Sequence, residues 1–116
     1  MTQSDCLFCK IVAEQIPAKL VHQDDLCLAF HDIHPRAPLH VLVVPRKHVA
    51  TLNDLTDEDR TMMGHLHLTA AGIAKKFGHA EAGYRTVFNC NRGAGQTVFH
   101  IHLHLLAGRT LDWPPG

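Results

Sequence analysis

The chain has 116 residues, enough for one domain with a sizeable core and too few for two ordinary ones. Hydrophobic residues make up 46% and charged residues 19%, a balance that excludes intrinsic disorder. Eleven Lys and Arg offset eleven Asp and Glu, so bulk electrostatic attraction to nucleic acid or to a membrane surface is excluded as a basis for binding.

No apolar run approaches the roughly 20 residues that span a bilayer, so no membrane segment is expected. The start, Met1-Thr2-Gln3-Ser4-Asp5, has neither a basic stretch nor an apolar one, so no secretory leader is expected. The cytoplasm is the expected compartment. There the four cysteines are expected as thiols or metal ligands, not disulfides. Eleven histidines stand against one Trp and one Tyr. Histidine titrates near neutral pH and is the commonest metal ligand, so this excess points to chemistry.

The elements follow in chain order. From Asp5 to Ala13, Leu7, Phe8, Ile11 and Val12 have helical spacing over one or two turns, and Pro17 stops the pattern. Leu20 to His22 and Leu26 to Phe30 read as strands joined by a turn at Gln23-Asp24-Asp25. His40 to Val44 reads as a strand bounded by Pro38 and Pro45. Thr56 reads as a helix N-cap, with Asp57, Glu58 and Asp59 favoured in the first turn by the helix dipole. Met62, Leu66, Ala70, Ile73 and Phe77 then form one apolar face, and Gly78 caps the end after Lys75 and Lys76. Tyr84 to Cys90 and Phe99 to Ala107 read as strands around a loop from Asn91 to Thr97. The ending Asp112-Trp113-Pro114-Pro115-Gly116 excludes helix and central strand. Strands and helices do not alternate, so a single α+β domain over 1–116 with a five-stranded antiparallel sheet, one long helix and one short helix is expected.

His100-Ile101-His102-Leu103-His104-Leu105 alternates strictly. On a strand the three imidazoles would share one face, and Ile101, Leu103 and Leu105 would enter the core from the other. Burying imidazoles without purpose is costly, because each ring has two polar nitrogens to satisfy. Three readings compete: an exposed face that happens to carry histidines, a zinc site using His-x-His, and nucleophilic catalysis by a neutral imidazole. The small-residue loop Gly93-Ala94-Gly95-Gln96-Thr97 runs directly into this segment. Backbone N–H groups in such a loop approach phosphate closely, and Thr97 and Asn89 add polar groups. The combination points to phosphate.

Gly95-Gln96-Thr97-Val98-Phe99-His100-Ile101-His102-Leu103-His104 resembles the signature of the histidine triad superfamily, His-φ-His-φ-His-φ-φ with φ apolar. Ile16-Pro17-Ala18-Lys19, Ala29-Phe30-His31-Asp32-Ile33, Ala37-Pro38, His40, Gly108-Arg109 and Trp113-Pro114-Pro115-Gly116 resemble its nucleotide-binding branch. The resemblance implies a HIT-like fold, a homodimer and a purine nucleoside phosphoramidase that forms a nucleotidyl-histidine intermediate. It casts His102 as the nucleophile, His104 as phosphate and proton partner, and His100 and His40 as the network that orients them. It assigns Asp32 to the ribose and Phe8, Phe30, His31, Ile33 and Leu42 to a purine slot for an AMP- or GMP-type nucleotide. Asn89, Gly95, Gln96 and Thr97 would bind phosphate, and Trp113 would lie on the leaving-group side. No cofactor is required for this chemistry. Cys90, Asn91, Arg92 and Ala94 depart from the acidic residues and glycine common in relatives, and Ala107-Gly108 stands where Gly-Gly is usual. These departures bear on the leaving group.

Cys6-Leu7-Phe8-Cys9 is a C-x-x-C pair. Some histidine triad relatives bind zinc with such a pair, a following Pro-x-x-His and the first triad histidine. Here those residues are Cys6, Cys9, His48 and His100, which implies a structural zinc ion; the competing reading is a pair of reduced thiols. Cys27 and Cys90 are expected as buried thiols in strands. His22, His34, His65, His67 and His79 match no metal template and are expected in solvent. Alternative functions are dinucleoside polyphosphate hydrolysis or nucleotidyl transfer, a zinc-dependent hydrolase with His100, His102 and His104 as ligands, and a nucleotide sensor or scaffold without turnover.

Overall fold

The computed structural model describes residues 5–116; the stretch read above for a leader lies almost wholly outside them. Helix α1, Leu7–Val12, is short and capped by Cys6, whose sulfur accepts the Cys9 N–H at 3.3 Å. It ends earlier than Pro17 requires, because Glu14 turns into positive φ. Strands β1, Leu20–Gln23, and β2, Cys27–His31, form the expected hairpin. Asp24 Oδ1 accepts the N–H groups of Leu26 and Cys27 at 2.8 and 3.0 Å, which fixes the turn. Strand β3, Leu39–Pro45, is buried along its whole length.

Two 3₁₀ turns, Leu52–Asp54 and Asp57–Asp59, lead into helix α2, Arg60–Lys76. Thr56 opens this second turn, and its backbone N–H donates to Asp59 Oδ2 at 2.9 Å. Gly78, at φ 83°, follows the helix C-cap Phe77. Strand β4, Tyr84–Val87, and strand β5, Leu103–Ala107, complete the sheet.

All pairings are antiparallel, in the order β1-β2-β3-β5-β4. Leu66, Ala70, Ile73 and Ala74 of α2 pack on one face of this sheet, against Ala29, Val41, Val43, Leu103 and Leu105. The other face carries Phe30, Leu42 and Val44 and is covered by Cys6, Phe8 and Ile11. The period-2 alternation of β3 therefore sends Val41 and Val43 to the helix and His40 and Leu42 to the opposite side.

The last two strands are shorter than the sequence suggests. Pairing of β4 ends at Val87, so Asn89 and Cys90 lie beyond it, and Cys90 is half-buried outside any strand. Pairing of β5 begins at Leu103, so His100 and His102 precede it. Competing hydrogen bonds explain the early stop: the Ile101 N–H donates to the Val49 carbonyl at 2.8 Å, outside the sheet ladder.

Candidate active site

The triad histidines separate into two tasks. His102 and His104 stay together on the face away from α2, with ring centroids 4.9 Å apart. The His100 ring is fully buried and turns toward α1.

Hydrogen-bond partners define the tautomers. His102 Nδ1 lies 2.8 Å from the His100 carbonyl, an obligate acceptor, so Nδ1 carries the proton and Nε2 keeps its lone pair. His40 Nδ1 accepts the Arg36 N–H at 3.0 Å, so His40 is protonated at Nε2. That Nε2–H donates to His104 Nδ1 at 2.9 Å, which leaves the His104 proton on Nε2. A bare nitrogen on His102 thus neighbours a ring that presents an N–H. Asp32 anchors the chain: its Oδ2 is 3.4 Å from His40 Nε2, and its Oδ1 accepts the His34 N–H at 2.8 Å.

Burial keeps these rings neutral. It is the largest influence on His102 and lowers its pKa below 6.5, although the His100 carbonyl and the Asp32 charge oppose it. Burial, aided by His102 and His40, takes His104 down to about 4. His40 is also lowered, first by burial, with Asp32 opposing.

The residues expected in a purine slot divide. Phe8, Phe30 and Leu42 are 4, 5 and 7% exposed and form the wall behind His102. Phe8 meets the His102 ring edge-on, with centroids 5.0 Å apart. Ile33 is 86% exposed beside Asp32. The His31 ring stands apart: it pairs with Val41 on the helix face and packs on Phe77. Trp113 is 81% exposed in the C-terminal segment, which Arg85 holds through the carbonyls of Leu111 and Asp112.

The Gly-rich loop is a 3₁₀ turn, Arg92–Ala94, closed by Gly95 at φ 90°. The Gln96 side chain is spent on structure, since Oε1 accepts the Asn91 N–H and Nε2 donates to the carbonyls of Ala50 and Val98. It shapes the loop and has no free group for phosphate. The backbone N–H groups of Thr97 and Val98 have no partner among the described residues and remain available. Asn89 is half-buried between β4 and the loop.

His100 belongs to a second constellation. Its Nε2–H donates to the Pro45 carbonyl at 2.8 Å, so Nδ1 carries the lone pair. That atom lies 3.3 Å from Cys6 Sγ, 3.4 Å from Cys9 Sγ and 3.2 Å from His48 Nδ1, and Cys9 Sγ is 3.2 Å from His48 Nδ1. Donors on a tetrahedral zinc ion stand about 3.3–3.8 Å apart, so the set fits the ion. The Pro45 carbonyl supplies the outer hydrogen bond that orients a metal-binding imidazole. Without metal, burial and the neighbouring Cys6 push the Cys9 thiol up to about 11. The rings of His100, His102 and His104 do not converge as one ligand set: His100 and His104 fall in different donor groups, and His102 in neither.

A HIT domain family model matches residues 13–111. The chain belongs to the HIT family. It is 52% identical over 97% of its length to an uncharacterized HIT-like protein of Synechococcus elongatus, covering 97% of that protein. It is 47% identical over 107 residues to a protein of Escherichia coli K12 named purine nucleoside phosphoramidase, covering 92% of this chain and 90% of the relative. The crystal structure of a HIT family hydrolase from Legionella pneumophila superposes with a TM-score of 0.95 at 52% identity, over 97% of this chain and 100% of that one. The antiparallel sheet with one long and one short helix is thus the HIT fold.

Sequence reasoning missed the backbone acceptors at Pro45 and His100 and the Arg36 N–H donor. No side-chain signal marks them, because any residue type supplies these groups. It also placed His22 and His65 in solvent, whereas both donate to Asp24.

Proposed function

We propose that this HIT protein hydrolyses purine nucleoside phosphoramidates to a nucleoside monophosphate and an amine. The observation that carries the reading is the tautomer chain. His102 offers an unprotonated Nε2 as nucleophile, held by the His100 carbonyl, next to His104, which offers an N–H. The name of the E. coli relative supports the same P–N substrate class.

In the first step His102 Nε2 attacks the α-phosphorus. The P–N bond to the amine breaks, and the amine leaves with the bonding pair and takes a proton from solvent. The His104 Nε2–H donates to a non-bridging phosphoryl oxygen, where negative charge grows. In the second step water attacks phosphorus, the N–P bond returns its electron pair to His102, and the water proton passes to solvent. One difficult displacement becomes two easier ones. Asp32 would accept from the ribose hydroxyls, and the free N–H groups of Thr97 and Val98 would receive phosphate oxygens. Ile33 would close over the purine, and Trp113 would border the amine.

Cys6, Cys9, His48 and His100 would hold a structural zinc ion that ties α1 to the end of β3 and to the segment before β5. The protein would work as a homodimer in the cytoplasm, where its four free cysteines stay reduced.

The test measures AMP release from an adenosine 5′-phosphoramidate ester by wild type and His102→Ala, with and without a chelator. Release that survives the chelator and is lost in His102→Ala is the expected result. Release that needs added Zn²⁺ would place metal in the chemistry instead. AMP binding without turnover in wild type would make the protein a sensor.

A further inference from the structure

The loop that runs into the triad contains a strained residue. Asn91 has φ 67° and ψ 177°. That backbone region belongs almost entirely to glycine, and another residue stays there only where its surroundings hold it. Gln96 supplies the hold, because the two residues are joined twice. The Asn91 N–H donates to Gln96 Oε1 at 2.7 Å, and the Gln96 N–H donates back to the Asn91 carbonyl at 3.1 Å. Gln96 Nε2 donates to the carbonyls of Val98 at 3.1 Å and Ala50 at 2.8 Å. Gln96 is 4% exposed, so its amide has little access to water in place of these partners. Ala50 follows Val49, whose carbonyl accepts the Ile101 N–H at 2.8 Å. One amide therefore ties the start of the loop to its end and to the stretch that anchors the triad segment.

From these bonds we infer that Gln96 is a positioning residue for phosphate recognition: it holds Asn91 in its strained conformation and so fixes the backbone that presents the Thr97 and Val98 N–H groups. The inference rests on the phosphate role proposed above for those two groups. It gives Gln96 no contact with the phosphate itself. The amide chemistry accounts for glutamine at this place. One end must accept from an N–H while the other donates to two carbonyls, and a carboxylate of the same shape can only accept. The loop bends at positive φ twice, at Asn91 and at Gly95, where φ is 90°. Glycine adopts such a backbone freely, so the second bend needs no hold. The first bend carries a side chain and depends on Gln96.

The test compares backbone amide spectra of the full chain as wild type, Gln96→Met, Asn91→Gly and the double variant. Each is recorded without ligand and in titrations with AMP and with adenosine, which lacks the phosphate. In Gln96→Met the Thr97 and Val98 amide signals are expected to move or broaden before any ligand is added. AMP affinity is expected to fall at least about tenfold, while adenosine affinity changes by less than about twofold. Asn91→Gly alone should raise the thermal midpoint by roughly 2–8 °C, because glycine reaches this backbone without the steric penalty. Adding Asn91→Gly to Gln96→Met should bring the Thr97 and Val98 signals back toward wild type and AMP affinity to within about threefold of it. A glutamine that touched the phosphate directly would allow no such rescue, and that outcome overturns the inference. Thr97 and Val98 signals that stay in place in Gln96→Met also overturn it. If circular dichroism shows Gln96→Met unfolded, the Asn91→Gly midpoint decides, and a midpoint no higher than wild type overturns the inference. None of these readouts needs turnover. The rescue pattern in a protein that releases no AMP would sink the phosphoramidase reading and leave the role of Gln96 standing.

Discussion

The surroundings of His102 suit it to the nucleophilic role proposed for it. A carbonyl fixes one nitrogen, Phe8 blocks one edge of the ring, and burial disfavours the charged form. Removing this imidazole by His102→Ala should lower turnover by at least about 10³-fold with little change in thermal midpoint, since the ring is only half-buried. The pH profile is a second test. A nucleophile with a pKa below 6.5 loses activity only when it gains a proton. Activity should therefore hold flat as pH falls through 6.5 and decline below it; an unperturbed imidazole would already lose half its activity there. Steady-state rates between pH 5 and 8, on a range where the fold is checked by circular dichroism, decide between these. Period-2 alternation put His102 and His104 on one face, and the family resemblance added His40; the structure brings the three rings together.

At the scale of elements, two joints deserve a measurement. Gly108 follows β5 at φ 97°, and a Cβ there would meet Pro38 Cβ at 2.8 Å. Gly108→Ala should thus combine an unfavourable backbone conformation with a clash, and cost about 1–3 kcal/mol in a urea unfolding series. Leu66 is the fully buried centre of the α2 face. Leu66→Ala should cost about 2–5 kcal/mol by the same method. The elements themselves were legible where pattern was strong. The α2 face appears in the sequence as Met62, Leu66, Ala70 and Ile73, all buried. Phe77 continues the spacing but is 42% exposed, because the helix ends there and the ring packs on His31 at the sheet margin. The strand reading of Phe99 to His102 failed for a related reason. Alternation reports which side a residue faces and carries no information on whether a partner strand extends alongside.

The whole molecule divides its labour across the sheet. One face is closed by α2, which packs on the sheet, and it also holds the His22–Asp24–His65 hydrogen bonds. The other carries α1, the cysteine cluster and the candidate catalytic histidines. This arrangement separates stability from chemistry. Chelation should lower the thermal midpoint by several degrees, because zinc that binds only the folded chain stabilises it by mass action. Turnover per folded molecule should stay within about twofold, since His102 and His104 lie outside the cysteine cluster. Differential scanning fluorimetry alongside AMP release separates the two effects.

The sequence by itself determined the family, the α+β class with its five-stranded antiparallel sheet, and the histidines that are candidates for the chemistry. These rest on local periodicity and on residue types at fixed spacing, which survive without coordinates. Only the tertiary structure decided which imidazole nitrogen carries a proton, that the Gln96 amide is consumed by backbone, and that His22 and His65 share one carboxylate oxygen. Each of those facts depends on a carbonyl, an N–H or a side chain brought in from a distant element, and one-dimensional spacing holds no record of where such groups come to lie.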